Sequence, residues 1–258
     1  MSVALVTGAS AGIGRAFAVG LAARGHDLVL VARDAARLEE LAAELGAAHG
    51  IEAEVLSADL VTDDGVAAVE ARLDAVDPAV DILVNNAGFG TFGRFAELDV
   101  DREVQEVGLN VVALLRLTHA ALGAMESRRA GAILNIASLA AYQPSPASAT
   151  YGATKAFVHS FTHAVHEEAR GTGVHVMLVC PGYTHTEFHD RAELGPTDLP
   201  EFVWQSADDV VAAALRDLDR GRSVSIPGVL NQAAAAFSSV APAGITRRVA
   251  GLVVKHSG

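Results

Sequence analysis

Six short apolar runs alternate with stretches whose apolar residues recur every three to four positions, and this alternation restricts the fold most. The runs are residues 3–7, 27–32, 54–57, 81–84, 132–137 and 174–180. Between them, residues 12–24, 35–48, 63–76, 100–125 and 151–170 carry helical spacing. The runs lack the strict polar–apolar alternation of a half-exposed strand, so they predict parallel strands covered on both faces. The expected fold class is α/β, a doubly wound parallel sheet in three layers, α/β/α. No linker, repeat or low-complexity tract interrupts the chain up to about residue 220, which predicts one domain over residues 1–258. Residues 183–205 are expected to form a substrate loop, and the segment from about 231 to 258 has no assigned role.

Composition agrees with a packed domain: 258 residues, 51% hydrophobic and 19% charged, are enough for a full core and too apolar for disorder. A net charge of −12 excludes general nucleic-acid binding, which needs a basic face to displace counterions. The charge is uneven, since residues 220–258 hold five basic residues and no acid. No long uncharged apolar stretch predicts a membrane span, so membrane contact is not expected. The apolar start at residues 3–6 lacks a basic leader and reads as a strand. A lone Cys180 leaves no internal disulfide and fits a reducing cytoplasm. Of the 19 basic residues, only Lys155 and Lys255 are lysines, so a lysine inside a motif suggests a chemical requirement.

The first run leads into Thr7-Gly8-Ala9-Ser10-Ala11-Gly12-Ile13-Gly14. Glycines there permit a tight turn and let backbone N–H groups approach a pyrophosphate at a helix N-terminus. A plain strand-to-helix turn would also use glycines, and no Gly-Lys-Ser/Thr follows, which excludes a Walker loop. Asn85-Asn86-Ala87-Gly88 ends the fourth run, and Asp59-Leu60 follows the third. Both belong on the edge that faces a ligand crevice, although an Asn/Gly turn and a helix cap before Thr62 are the ordinary alternatives. Tyr151-Gly-Ala-Thr-Lys155 opens a helix and puts phenol and ammonium one turn apart on one face. A nearby ammonium and an oxidised nicotinamide would both favour phenolate and lower the tyrosine pKa. Such a phenol can give a proton to a ketone or take one from an alcohol. Ser138, at the end of the fifth run, could bond the same substrate oxygen. It lacks the flanking glycines of an esterase elbow.

In this ordered set the chain resembles the short-chain dehydrogenase/reductase family, with a Rossmann-type sheet, over residues 1 to about 220. The residues carrying the likeness are Thr7-Gly-x-x-x-Gly-x-Gly14, Asn85-Asn-Ala-Gly88, Asn110, Ser138, Tyr151-x-x-x-Lys155, Pro181-Gly182 and Thr186. The resemblance implies a hydride-transferring oxidoreductase acting between a nicotinamide cofactor and a carbonyl or secondary alcohol. It implies Tyr151 as general acid/base and Lys155 on the nicotinamide ribose. Ser138 would hold the substrate oxygen, and Asn110 a water linking Lys155 to solvent. Gly8, Ser10, Gly12, Ile13 and Gly14 would cradle the cofactor, with Asp59 and Leu60 near the adenine and Asn86, Ala87 and Gly88 lining it. Pro181, Gly182, Thr184 and Thr186 would meet the carboxamide; position 184 carries Thr where many relatives have Val or Ile. The resemblance also implies a homodimer or homotetramer built on two long helices.

The second strand ends at Ala32, followed by Arg33 and Asp34. An NAD site needs an acid at the strand end for the ribose 2′-hydroxyl. Ala32 followed by Arg33 instead predicts NADP(H) over NAD(H), with Ser10 and Arg37 helping to hold the 2′-phosphate. The substrate side should draw on Phe89 to Phe92, Gln143 to Ala149 and Tyr183 to Trp204, with Gln143 and Tyr183 as the candidate contacts, which suits a hydrophobic small molecule. His159, His163 and His166 share a helix face but lack an acidic or Cys partner, so packing is expected rather than metal binding. His185 and His189 lack the His-Glu-x-x-His order, and Cys180 is expected to pack inertly. The alternatives are a cofactor-binding regulator without turnover and a peripheral-membrane reductase held by its basic C-terminal segment.

Overall fold

The computed structural model describes residues 2–187 and 200–240. The six anticipated strands form, with ends within two residues of those expected: β1 (Val3–Thr7), β2 (Asp27–Ala32), β3 (Ala53–Ser57), β4 (Val80–Asn85), β5 (Gly131–Ile136) and β6 (Val174–Val179). A two-residue strand, β9 (Val224–Ser225), completes a parallel sheet in the order β3-β2-β1-β4-β5-β6-β9. The anticipated helices are α1 (Gly12–Ala22), α2 (Ala35–His49), α3 (Asp63–Asp74) and α6 (Ala149–Glu168), with α4 (Val100–Val107) and α5 (Leu114–Arg128) in place of one helix over 100–125. Chain order therefore runs outward from β1 in both directions, the doubly wound arrangement that opens a crevice beside β1.

Neighbouring residues of β1 serve opposite layers. Ala4 and Val6 pack with Phe17 and Leu21 of α1 and Leu38, Leu41 and Leu45 of α2. Val3 and Leu5 pack with Val66, Val69 and Leu73 of α3 and with Leu117, Ala121 and Met125. Both faces are thus covered, which is why the strands read as continuous apolar runs.

Three things differ from the sequence-based expectation. First, the helix expected over 100–125 is broken into α4 (Val100–Val107), a π-helical turn at Gly108–Ala113 and α5 (Leu114–Arg128). By length and composition the 100–128 stretch could cross a membrane. Its apolar stripe of Leu114, Leu117, Ala121 and Met125 is instead buried on the sheet. Arg116, in the middle, bonds Glu70 and Asp63. Second, β7 (Thr184–His185) pairs with β8 (Gln205–Ser206), joining the two ends of the expected substrate loop. Third, α7 (Ala207–Asp219) packs Val211, Ala214 and Leu215 against α1, and α8 (Val229–Val240) follows β9. His189 and the basic stretch beyond residue 240 lie outside the described residues.

Candidate active site

The carboxyl ends of β1 and β4 are tied into one frame. The Thr7 hydroxyl accepts N–H bonds from Asn86 (2.9 Å) and Ala87 (3.0 Å) and donates to the Val84 carbonyl (3.2 Å). The Asn86 amide donates back to the Thr7 carbonyl at 2.9 Å. Gly8 sits at φ 67°, and a Cβ there would lie 2.8 Å from the Asn86 amide nitrogen. At Gly14 a Cβ would meet the Gly8 carbonyl oxygen at 2.2 Å, so α1 can approach the loop only with glycine here. The N-terminus of α1 follows Ala11, which offers no side-chain cap, and no acid stands in the first turn. A helix start with no side-chain cap and no acid in its first turn suits an anion. On this observation, Gly8, Ser10, Gly12, Ile13 and Gly14 fit a dinucleotide pyrophosphate.

The expected catalytic groups converge on the same edge of the sheet. Tyr151 and Lys155 lie in the first two turns of α6, with the Lys155 nitrogen 5.7 Å from the centre of the tyrosine ring. Lys155 is 5% exposed and donates to the Ile136 carbonyl at the end of β5 (2.9 Å). Ser138 stands two residues beyond β5, accepts the Ala140 N–H at 3.1 Å and hydrogen-bonds Tyr151. Asn110, buried in the π-helical turn, donates to the Phe89 carbonyl (2.8 Å) and Thr154 hydroxyl (3.1 Å) and accepts the Phe89 N–H (3.1 Å). Gly88 lies between them, since a Cβ there would fall 2.9 Å from Asn110 Oδ1 and 3.7 Å from Lys155 Nζ.

The net effect of the protein's own groups on the Tyr151 pKa is upward, opposite in sign to the expected lowering, to which an oxidised nicotinamide also contributes. Burial pushes the phenol up to about 12, against a lowering hydrogen bond from Ser138 and with a further rise from the Glu106 carboxylate. Lys155 moves the other way, down to about 8, because burial penalises its charge more than Glu106 supports it.

At the outer rim, Arg33 is exposed and forms no ion pair among the described residues. Arg37 is already engaged, holding Glu187 at 3.0 Å and Asp34 at 3.6 Å. Asp34 also caps α2 through the Arg37 N–H. The Asp59 side chain accepts the Val61 N–H at 3.1 Å, a local turn, while Leu60 is buried in the core beneath it. Pro181 and Thr184 are buried, Thr184 donating to the Gly182 carbonyl at 3.0 Å, and Thr186 lies where a Cβ on Gly12 would meet it at 3.0 Å. Gln143 and Tyr183 occupy exposed positions, and Tyr183 tilts against Trp204 with ring centres 5.5 Å apart.

Glu103, Glu106 and Asn231 escaped the sequence analysis, whereas Thr91 and Phe92 lie in the segment expected on the substrate side. Thr91, Glu103 and Glu106 form a buried acid–hydroxyl cluster beside the site. Asn231 of α8 packs against Gly182 and donates to Gln205 and Pro227. Phe92 contacts the Tyr151 ring, with centroids 6.4 Å apart. Nothing in the amino-acid order marks Asn231. Glu103 and Glu106 read as the solvated face of a helix. The histidines of α6 part company: His159 meets Tyr142 and His163 edge-on, whereas His166 bonds the Val176 carbonyl. The Cys180 thiol is fully buried, and burial pushes it up to about 12.

Comparison with known proteins agrees with this geometry. The sequence pattern of the family described as short chain dehydrogenase matches residues 2–195. An oxidoreductase of Staphylococcus epidermidis is 33% identical over 217 residues, which span 83% of this chain and 90% of the relative. Among solved structures, a short-chain dehydrogenase from Sphingobium yanoikuyae in complex with NADPH superposes with a TM-score of 0.85 at 38% identity, covering 94% of this chain and 96% of that one. A bulky-bulky ketone specific alcohol dehydrogenase from Comamonas testosteroni gives a TM-score of 0.80 at 35% identity, covering 94% and 95%. With its parallel sheet and matched residues, the chain belongs to the short-chain dehydrogenase/reductase family of oxidoreductases.

Proposed function

We propose that this oxidoreductase is an NADP(H)-dependent carbonyl reductase or secondary-alcohol dehydrogenase with Tyr151 as general acid/base. The carrying observation is the linked set in which Ser138 hydrogen-bonds Tyr151, Lys155 stands by the Tyr151 ring, and Lys155 and Asn110 meet at Gly88. When bound, the nicotinamide supplies or accepts the hydride. The loop at 8–14 would hold the pyrophosphate, Lys155 the nicotinamide ribose, and residues 181–186 the carboxamide.

The residues of this chain divide the remaining work. Ser138 already hydrogen-bonds Tyr151, so one substrate oxygen between their hydroxyls would be oriented by both. With a pKa pushed up to about 12, the phenol keeps its proton at neutral pH and is ready to donate in the reductive direction. Lys155, fixed by the Ile136 carbonyl, places a positive charge beside the ring and would stabilise the phenolate left after proton transfer. Asn110 holds the Phe89 backbone and Thr154, fixing the loop after β4 against α6. Phe92, against the Tyr151 ring, and the Tyr183–Trp204–His185 group would give the substrate side aromatic surface that suits a hydrophobic carbonyl. Arg33, exposed at the end of β2, would bind the 2′-phosphate.

A panel of aromatic and aliphatic ketones and aldehydes, assayed with NADPH and NADH, tests the reading. We expect NADPH oxidation with at least one hydrophobic carbonyl and a higher kcat/KM for NADPH. Cofactor binding without turnover across the panel would favour a regulator, and a preference for NADH would overturn the Arg33 assignment.

A further inference from the structure

Glu103 and Glu106 stand three residues apart on α4 and are 5% and 0% exposed. Thr91 Oγ1 lies 2.5 Å from Glu103 Oε1 and 2.8 Å from Glu106 Oε2. A hydroxyl has one proton and can donate to only one of these oxygens. If both acids were ionised, the other short contact would bring two lone pairs together in a buried site. The array Glu103–Thr91–Glu106 therefore holds one carboxyl proton. Apart from the shared hydroxyl, each acid has one further donor, the Thr150 hydroxyl on Glu103 and the Thr91 N–H on Glu106. What separates them is Glu106 Oε1, buried without a partner among the described residues, where a negative charge would be costliest. The proton belongs on Glu106, which then donates to Thr91, which donates to Glu103.

The array sits beside a second clamp. Asn110, four residues after Glu106, holds both backbone groups of Phe89. Glu106 accepts the N–H of Thr91, two residues further along the loop, at 3.0 Å. Together they press the segment 89–92 onto α4. We propose that Glu106 is a protonated positioning residue that holds the Phe89–Phe92 wall of the substrate pocket in place, and that losing its proton loosens this wall. The inference rests on the carbonyl-reductase reading for what the wall contacts.

Glu106 faces Glu103 on its own helix and Lys155 and Tyr151 on α6. The loop after β4 contributes Thr91, and Arg102 covers the Phe89 ring at 4.0 Å in the same wall. Burial and the Glu103 charge raise Glu106 to about 7, against the Thr91 bonds and the Lys155 ammonium, which lower it. The acid is thus protonated below about pH 7. Above it, the ionised Glu106 accepts the Thr91 N–H more strongly, but two buried carboxylates then repel each other across one shared hydroxyl proton, and that repulsion is what displaces the loop.

The test uses the full chain with NADPH and compares wild type with Glu106→Gln and Glu106→Leu. Two readouts are followed from about pH 5.5 to 8.5: amide exchange of the peptide covering residues 89–92, and KM and kcat for an aromatic carbonyl. In wild type, exchange should exceed that of Glu106→Gln at the same pH only above about pH 7. Relative to Glu106→Gln at the same pH, KM should rise roughly 2- to 10-fold over the same range while the ratio of the two kcat values changes little, the size of one or two lost hydrogen bonds. Glu106→Gln, whose amide nitrogen can replace the acid proton at Thr91 Oγ1 but cannot ionise, should lose the pH dependence of KM. Glu106→Leu should raise KM at every pH; should it fail to fold, the Gln variant decides. Matching exchange profiles for wild type and Glu106→Gln would overturn the inference. So would a wild-type KM that does not move with pH. The predicted exchange difference without turnover of any carbonyl would uphold the Glu106 clamp and sink the proposed activity.

Discussion

The inner floor of the site and its outer ribose rim are built from opposite materials. On the floor, Asn110 and Lys155 are almost fully buried, and each is held by hydrogen bonds to backbone or to a neighbouring helix. At the rim, Arg33, Arg37 and Glu187 stand in solvent, and the Arg37–Glu187 pair is 46% and 47% exposed. A buried group that loses its partner forfeits its desolvation, whereas an exposed pair exchanges partners with water and salt at little cost. The floor can therefore fix the geometry of proton transfer, and the rim can tune which cofactor binds. Substitutions should separate accordingly, with large effects on rate at the floor and modest effects on affinity at the rim.

The largest effect is expected at Tyr151. Replacing it with Phe removes only the transferable proton, so turnover should fall roughly 10²- to 10⁴-fold while NADPH titrations stay near wild type. A variant retaining a tenth of the activity would break the assignment. Lys155→Arg should be similarly impaired, since a planar guanidinium cannot replace a compact ammonium donating to the Ile136 carbonyl in a buried slot.

The buried acid offers a second break point, read in stability. A carboxyl raised from 4.5 to about 7 binds more protons folded than unfolded between those values. Its stabilising contribution is complete below about pH 4.5 and is lost as pH rises through about 7. Wild type should therefore lose several degrees of Tm relative to Glu106→Gln between about pH 4.5 and 7.5. A constant gap between the two melting curves would place the proton elsewhere.

The same division explains what could be read before folding. β1 to β6 and the helices between them were legible because burial on both faces leaves unbroken apolar runs, and helical packing leaves a 3.6-residue rhythm. β7, β8 and β9 have two residues each, too few to show any period. Tyr151 and Lys155 were legible because one helical turn fixes their mutual placement, and Gly8 and Gly14 because close backbone contact demands glycine. The acid cluster was not. Val100-Asp-Arg-Glu-Val-Gln-Glu106 looks like a solvated helix face, and only the loop folded back from β4 buries Glu103 and Glu106. The direction of the Tyr151 shift also needed the structure, because burial outweighs the Ser138 bond.

At the rim, Arg33→Ala should weaken NADPH roughly 10- to 150-fold, the range for a lost charge-assisted hydrogen bond. NADH binding should hardly change. Fluorescence titration with both cofactors measures the ratio directly, and an equal loss for both would mean that Arg33 serves the whole dinucleotide rather than the 2′-phosphate.

The smallest effect is expected from Glu187→Gln, and it tests whether the rim is an exchangeable network. Arg37 now spends its guanidinium on Glu187 and Asp34, and the Glu187 bond is the main cause of its raised pKa. A 2′-phosphate would have to compete with that carboxylate. Removing the charge at 187 while keeping its shape frees Arg37 and removes a like charge from the phosphate site. NADPH should therefore bind more tightly, by no more than about fivefold, because both partners of the present pair are half exposed and screened. Most of the gain should vanish at about 0.5 M salt, where the Debye length falls below about 5 Å. NADH should be indifferent at either salt concentration. Weaker NADPH binding in the variant would mean that Glu187 holds Arg37 in its phosphate-binding position instead of competing for it. The rim would then be a fixed support like the floor, and the contrast between the two regions would fail at Arg37.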